Sequence, residues 1–196
     1  MDTLESIRRR IQTAEQLHSL VRTMKALAAV NIRQFEQAVE ALREYRETLE
    51  LSLRAVLRGS AGGLPWAREA APTRLGAIVC GSDQGMCGPI NERVVRFTCD
   101  DFERLEFARE QRHVVVVGQR AASRMAERGE RIDLVLPVAN TVAGLTSLAE
   151  RLLVEIDQWR ESRGIDRVVV YYTEHRSRVA YEPKRVDLLP IDRRWL

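Results

Sequence analysis

Cysteine is scarce, with only Cys80, Cys87 and Cys99 in 196 residues. Three thiols cannot form a fully paired disulfide framework. Cys80 and Cys87 are also too widely spaced for a zinc knuckle, with no histidine beside them, so no metal site is expected. This usage fits a reducing compartment. Glycine and proline are absent from Met1 to Arg58, so nothing in that stretch breaks a helix. Long apolar runs are missing too: none approaches the roughly 20 residues of a membrane span. The amino terminus carries Asp2 and Glu5 and no continuous apolar core, so it does not read as a signal peptide. Neither sign of charge dominates, at a net +3 with 30% charged residues, which argues against a dedicated nucleic-acid protein.

What is present begins with an unusually long amphipathic pattern. Apolar or small residues recur in steps of three and four at Leu4, Ile7, Ile11, Ala14, Val21, Ala28, Ile32, Phe35, Val39, Leu42, Leu49, Leu53 and Val56. That is a coiled-coil seam, interrupted by His18, Lys25 and Arg46 and widened by Leu17, Leu20, Met24 and Leu27. One helix over residues 1–58 would run about 80 Å at 1.5 Å per residue. One small domain cannot cover it, so it needs a partner helix or a surrounding complex. Its first half is basic, with Arg8, Arg9, Arg10, Arg22, Lys25 and Arg33 against Glu5 and Glu15. Such a face suits an acidic partner, although a merely solvated surface has the same composition. Met24 and Lys25 sit where the helix turns small and apolar, and ordinary coiled-coil packing reads the same way there.

Residues 59–73, rich in glycine and proline, form a linker. After it the pattern alternates between short apolar runs and helical periods. Strands are predicted at 75–81, 113–118, 132–138 and 166–173, with a last, antiparallel strand over 179–189. Helices are predicted at 91–109, 119–128 and 142–162. Near-continuous apolar strands separated by helices imply a mostly parallel sheet covered on both faces. The fold class is therefore α/β: a long N-terminal coiled-coil helix plus a Rossmann-like three-layer domain over 74–196.

The most distinctive segment is Cys80-Gly81-Ser82-Asp83-Gln84-Gly85-Met86-Cys87-Gly88-Pro89-Ile90-Asn91, between the first strand and its helix. Its glycine spacing, G-x-x-x-G-x-x-G, is neither the dinucleotide fingerprint nor a P-loop, and no lysine stands ready for phosphate. Gly85 and Gly88 permit a tight turn with positive φ. Asp83 and Asn91 can hydrogen-bond loop amides or helix-end groups. Cys87 precedes a helix, where a dipole can lower a thiol pKa. A catalytic role would need a base, and His113 should lie at the opposite end of the sheet. A structural or docking loop is favoured over a nucleotide site or a nucleophilic centre.

In this order along the chain, the motifs resemble the gamma subunit of rotary F-type ATP synthases. Ile7-Arg8-Arg9-Arg10-Ile11 with Val21-Arg22-Thr23-Met24-Lys25-Ala26-Leu27-Ala28-Ala29 is similar to that family's N-terminal helix signature. Ser82 to Asn91 resembles its S-D-x-G-L-C-G-x-x-N loop, and Leu188-Leu189-Pro190-Ile191 resembles the segment before its C-terminal helix. Gln84 and the Val-Arg-Thr-Met-Lys wording resemble the divergent gamma subunits of N-type, sodium- or proton-translocating ATPases.

The resemblance implies a non-catalytic central-stalk subunit without a cofactor. It would couple ion flow through the membrane c-ring to ATP synthesis or hydrolysis on the alpha/beta ring. Partners implied are the alpha, beta and epsilon subunits and the c-ring, on the cytoplasmic side of the inner (plasma) membrane. Arg8, Arg9, Arg10, Arg22, Met24 and Lys25 would face the beta subunits, and Asp83, Gly85, Cys87 and Asn91 would belong to the globular part beside the stalk. The family's long C-terminal helix has no counterpart before Leu196, which leaves the apolar seam unpaired and favours self-association. Two alternatives follow: a shortened, homo-oligomeric coiled-coil scaffold, or a nucleotide-binding α/β protein using the Gly81–Gly88 loop.

Overall fold

A computed structural model describes residues 4–59, 72–176 and 180–190. The first element, α1, is a single helix over Leu4–Gly59, 56 residues long. Ion pairs one turn apart, such as Arg46 to Glu50 at 3.0 Å, run along its surface. The seam residues are largely bare: Ile7, Ile11, Ile32, Val39 and Leu49 are all exposed. What shielding α1 receives falls mainly on Asn31, Phe35 and Ala38 in mid-helix and on Glu50 and Arg54 further along. Mid-helix, Ile32, Phe35 and Val39 face His175 and Tyr181 across an open groove of about 810 Å³. The linker placed at 59–73 falls mostly outside the described residues, and Gly59 still belongs to the helix.

The remaining elements are β1 (Leu75–Cys80), α2 (Ile90–Arg104), β2 (Arg112–Val117), α3 (Gln119–Glu127), β3 (Leu134–Leu136), α4 (Val142–Arg163), β4 (Arg167–His175) and β5 (Tyr181–Leu189). They build a five-stranded sheet in the order β3-β2-β1-β4-β5. The first four strands are parallel and β5 runs antiparallel along β4, as the sequence predicts.

Alternation along each strand divides the core into two layers. Leu75, Ala77, Val79, Val114, Val116, Val169 and Tyr171 pack against Val94, Val95 and Phe102 of α2 and Ala121, Ala122 and Met125 of α3. On the other face, Ile78, Val115, Val117, Leu136 and Val168 meet Trp159 of α4. Trp159 lies flat against Gly76, where a Cβ would collide with the indole ring. The Thr141 side chain caps α4 by accepting from the Gly144 amide, and Gly164, at φ 62°, ends it in the left-handed conformation.

Two boundaries differ from the sequence reading. Helix α2 stops at Arg104 rather than about 109. Glu106 takes a positive φ of 56° and returns Phe107 to the core, where it is buried. A 3-10 turn at Arg109–Gln111 then leads into β2. The third strand is three residues long, not seven. Asp133 turns its carboxylate back onto β2, accepting from the Val114 amide, and the Val138 amide is claimed by Asp83. At the first end of the apolar run the Asp133 amide still donates to the Val114 carbonyl at 2.8 Å, while at the second the Val138 amide turns from the ladder to a side chain.

Candidate functional site

The loop between β1 and α2 leaves the carboxyl edge of the sheet, where open α/β folds place their ligands. Here its polar groups are turned on one another. Asn91, on the first turn of α2 and 8% exposed, accepts from the Ser82 amide at 2.9 Å through Oδ1. Its Nδ2 donates to Ser82 Oγ at 2.8 Å and to Cys87 Sγ at 3.4 Å. Ser82 Oγ donates to the Gln84 carbonyl and lies 3.3 Å from Cys87 Sγ. One side chain thus fastens both ends of the loop.

Asp83 works outward. Its Oδ1 accepts from the Gln119 amide and its Oδ2 from the Val138 amide, each at 2.8 Å. The first bond satisfies a free amide at the start of α3, a position that favours negative charge. The second fixes the chain as it leaves β3. The carboxylate therefore joins the ends of three strands.

Two glycines let the backbones approach this closely. Gly118 has φ 108°, and a Cβ there would fall 2.7 Å from the Ser82 amide nitrogen. A Cβ at Gly81 would strike the Ala121 methyl. Met86, by contrast, is a non-glycine residue at φ 61° and projects its side chain outward, 79% exposed. Gly85 sits below the Arg120 guanidinium, and both line a shallow cleft with Glu92, Arg124 and Glu127.

Asp83, Gly85, Cys87 and Asn91 are thus brought together by the fold, but mainly to shape one another. No histidine contacts Cys87 among the described residues. His113 stands opposite Gly76, at the far end of the sheet, and His175 packs against Tyr181. The other two cysteines are partly buried against the core, and burial pushes both Cys80 and Cys99 up to about 11. Among the described residues, no group of three or more His, Cys, Asp or Glu side chains is arranged to hold a metal.

Arg8, Arg9, Arg10, Arg22 and Lys25 are exposed on α1, and Met24 is half-buried. Arg9 lies 3.6 Å from Glu5, an exposed pairing of little energetic weight. Arg22 and Lys25 form no ion pair among the described residues. This basic stretch lies on α1, whereas the loop joins β1 to α2.

Sequence reasoning missed the residues that complete the loop's anchorage. Gly118, the amides of Gln119 and Val138, and the Ser82 hydroxyl were not singled out. A glycine between an apolar run and a helical period was the available signal for Gly118. It also missed a buried network on the α2 side of the sheet. Tyr171 Oη donates to Asp101 Oδ2 at 2.8 Å, and Arg185 Nη1 reaches both oxygens of that carboxylate at 3.2 and 3.0 Å. Burial, followed by the Asp101 contact, pushes the Tyr171 hydroxyl far above its ordinary range. Those residues are far apart in the chain, and no local pattern links them.

With this architecture in view, the chain belongs to the ATP synthase family, whose sequence pattern it matches over residues 3–195. Among its relatives, the ATP synthase gamma chain of Cyanothece sp. is 28% identical over 198 residues, covering 98% of this chain and 62% of the relative. That of Desulfitobacterium hafniense is 28% identical over 202 residues, covering 98% of this chain and 68% of the relative. The chain spans about 62% of the length of the first of these.

Solved structures share the fold. The central stalk and c-ring structure of the Tetrahymena thermophila mitochondrial ATP synthase contains a chain that aligns with TM-score 0.56 at 17% identity, covering 85% of this chain and 71% of its own length. A chain in the rotor of the Euglena gracilis mitochondrial ATP synthase aligns with TM-score 0.56 at 16% identity, covering 96% of this chain and 63% of its own.

Proposed function

We propose that this chain is a central-stalk, rotor-type gamma subunit that couples an ion-driven c-ring to a catalytic ring of alpha and beta subunits, without catalysing a reaction itself. The observation that carries the reading is the combination of an exposed 56-residue helix with a sheet domain whose most distinctive loop closes on itself. A shaft must present a long surface to other chains, and α1 does so. A rotor's globular part must stay rigid under load, and the Asp83 and Asn91 bonds supply rigidity. The family match and relatives named gamma chain support the same role.

In this reading Arg8, Arg9, Arg10, Arg22, Met24 and Lys25 meet acidic surfaces of the beta subunits. The loop with Asp83, Gly85, Cys87 and Asn91 lies beside the stalk, near the epsilon subunit and the c-ring. The protein is peripheral to the membrane, on the cytoplasmic side of the inner (plasma) membrane. Among the described residues no helix is long and apolar enough to cross a membrane.

A second reading, a homo-oligomeric coiled-coil scaffold, is favoured by the same uncovered apolar residues of α1. Co-expression with alpha, beta and epsilon subunits separates the two. Recovery of one copy of this chain per ring of alpha and beta subunits supports the rotor. Recovery of self-associated chain free of those subunits overturns it.

A further inference from the structure

At the end of the sheet opposite the loop, one nitrogen atom faces two incompatible partners. His113 opens β2 on the α4 side and is 16% exposed at its side chain. Its Nδ1 lies 2.8 Å from Arg163 Nη1 and 3.0 Å from Asp133 Oδ2. Arginine carries only donors and does not lose its proton, whereas an ionised aspartate carries only acceptors. A ring nitrogen either bears a proton or offers a lone pair. Nδ1 can therefore accept from Arg163 or donate to Asp133, and never both.

We propose that His113 is a proton-operated selector: neutral, it holds the Arg163 guanidinium at Nδ1, and charged, it turns that bond to Asp133 and releases Arg163. In the neutral state with the proton on Nε2, Arg163 Nη1 donates to Nδ1 and stays 3.5 Å from Asp133 Oδ2, so the cation lies against both acceptors and offsets their mutual repulsion. Protonation puts a hydrogen on Nδ1 and a positive charge on the ring. Two cations and two N–H groups then meet head-on. Asp133, 8% exposed and held by the Val114 amide, cannot move away, so it takes the new bond. Arg163 can leave, because it is the last residue of α4 and its side chain is already 41% exposed.

The other groups around the ring do not blur the choice. Before β3, Arg131 lies 3.6 Å from the other oxygen of Asp133. On β1, the residue opposite is the uncharged Gly76. Arg74, just before β1, donates to the Arg163 carbonyl at 2.6 Å, and Asp166, just before β4, binds the Thr73 and Arg74 amides. The trunk of α4 contributes Trp159, an apolar wall. The selector thus sits beside the contacts that hold the start of β1, where the chain enters the sheet domain.

The test is nitrogen-15 NMR of the histidine rings and arginine side chains in the full chain, from about pH 8.5 to about pH 5, the range in which histidine charges. At the alkaline end His113 should carry its proton on Nε2 with Nδ1 bare. As the ring charges, exchange of the Arg163 guanidinium protons, taken relative to an exposed arginine such as Arg22 at the same pH, should quicken about tenfold or more, the loss of one charge-assisted hydrogen bond. Arg163→Ala should move the neutral ring's proton to Nδ1, toward Asp133. A proton on Nδ1 at the alkaline end of the unaltered chain, or Arg163 exchange that stays constant relative to an exposed arginine while His113 charges, overturns the proposal. Both readings use the unaltered chain, so they hold even where the variant fails to fold.

Discussion

Asp83 ties two distant segments to its loop, because each carboxylate oxygen accepts from a different backbone amide. Asp83→Asn keeps the shape but aims an amide donor at one of those N–H groups. Because the Gln119 amide is exposed and the Val138 amide only half-buried, the variant should lose about 0.5–1.5 kcal/mol, the net worth of one hydrogen bond, measured by urea denaturation. Gly118→Ala should cost about 2–3 kcal/mol, because a Cβ at φ 108° strikes the Ser82 backbone. Asp166 sets an acid limit. Partial burial pushes its carboxyl up, but the Thr73 and Arg74 amides and the Thr73 hydroxyl outweigh this and hold it below the usual carboxylate range. Its folded pKa is thus the lower one. The stability it contributes is present above the unfolded value of about 3.9 and is lost as the pH falls through the folded value. Denaturation midpoints should drop in that acid window, and Asp166→Asn should flatten the drop.

At the scale of the element, α1 and the sheet domain obey different rules. The central strand β1 is held by burial on both faces, so Gly76→Ala, which drives a methyl into the Trp159 ring, should destabilise by about 1–3 kcal/mol. Arg22 and Lys25 of α1 are exposed and form no ion pair among the described residues. Replacing Arg22 and Lys25 with glutamate should change the melting free energy by less than about 0.5 kcal/mol per site. In the rotor reading the same substitutions should weaken co-purification with the alpha and beta subunits. Parallel loss of stability and assembly would place these side chains in the fold instead of at an interface.

For the whole molecule, the long helix and the sheet domain meet over a narrow contact, and most of the apolar seam stays in water. An exposed stripe of this length is an association surface. Sedimentation of the isolated chain should show mass rising with concentration, and in the rotor reading addition of alpha and beta subunits should replace that self-association by a defined complex. The same asymmetry separates what can fold alone from what cannot: helix stability in water depends mostly on packing an amphipathic face. Circular dichroism should therefore show α1 signal lost at a lower temperature than the sheet-domain signal.

The sequence by itself determined the long helix, because no glycine or proline interrupts 58 residues of regular apolar spacing. It also determined the alternating strands and helices and the antiparallel last strand, since local periodicity reports which residues must leave water. The S-D-x-G-x-C-G loop was legible as a turn for the same local reasons. Tertiary structure alone decided what the loop's side chains do, because the partners of Asp83 lie 36 and 55 residues away. It shortened the third strand and ended α2 early, since Phe107 and Asp133 found long-range partners that local propensity does not encode. It also brought Asp101 to Tyr171 and Arg185, and His113 between Arg163 and Asp133. Local spacing dictates which elements form. Only packing those elements together decides which polar groups meet, and a buried polar group must be paired wherever along the chain its partner lies.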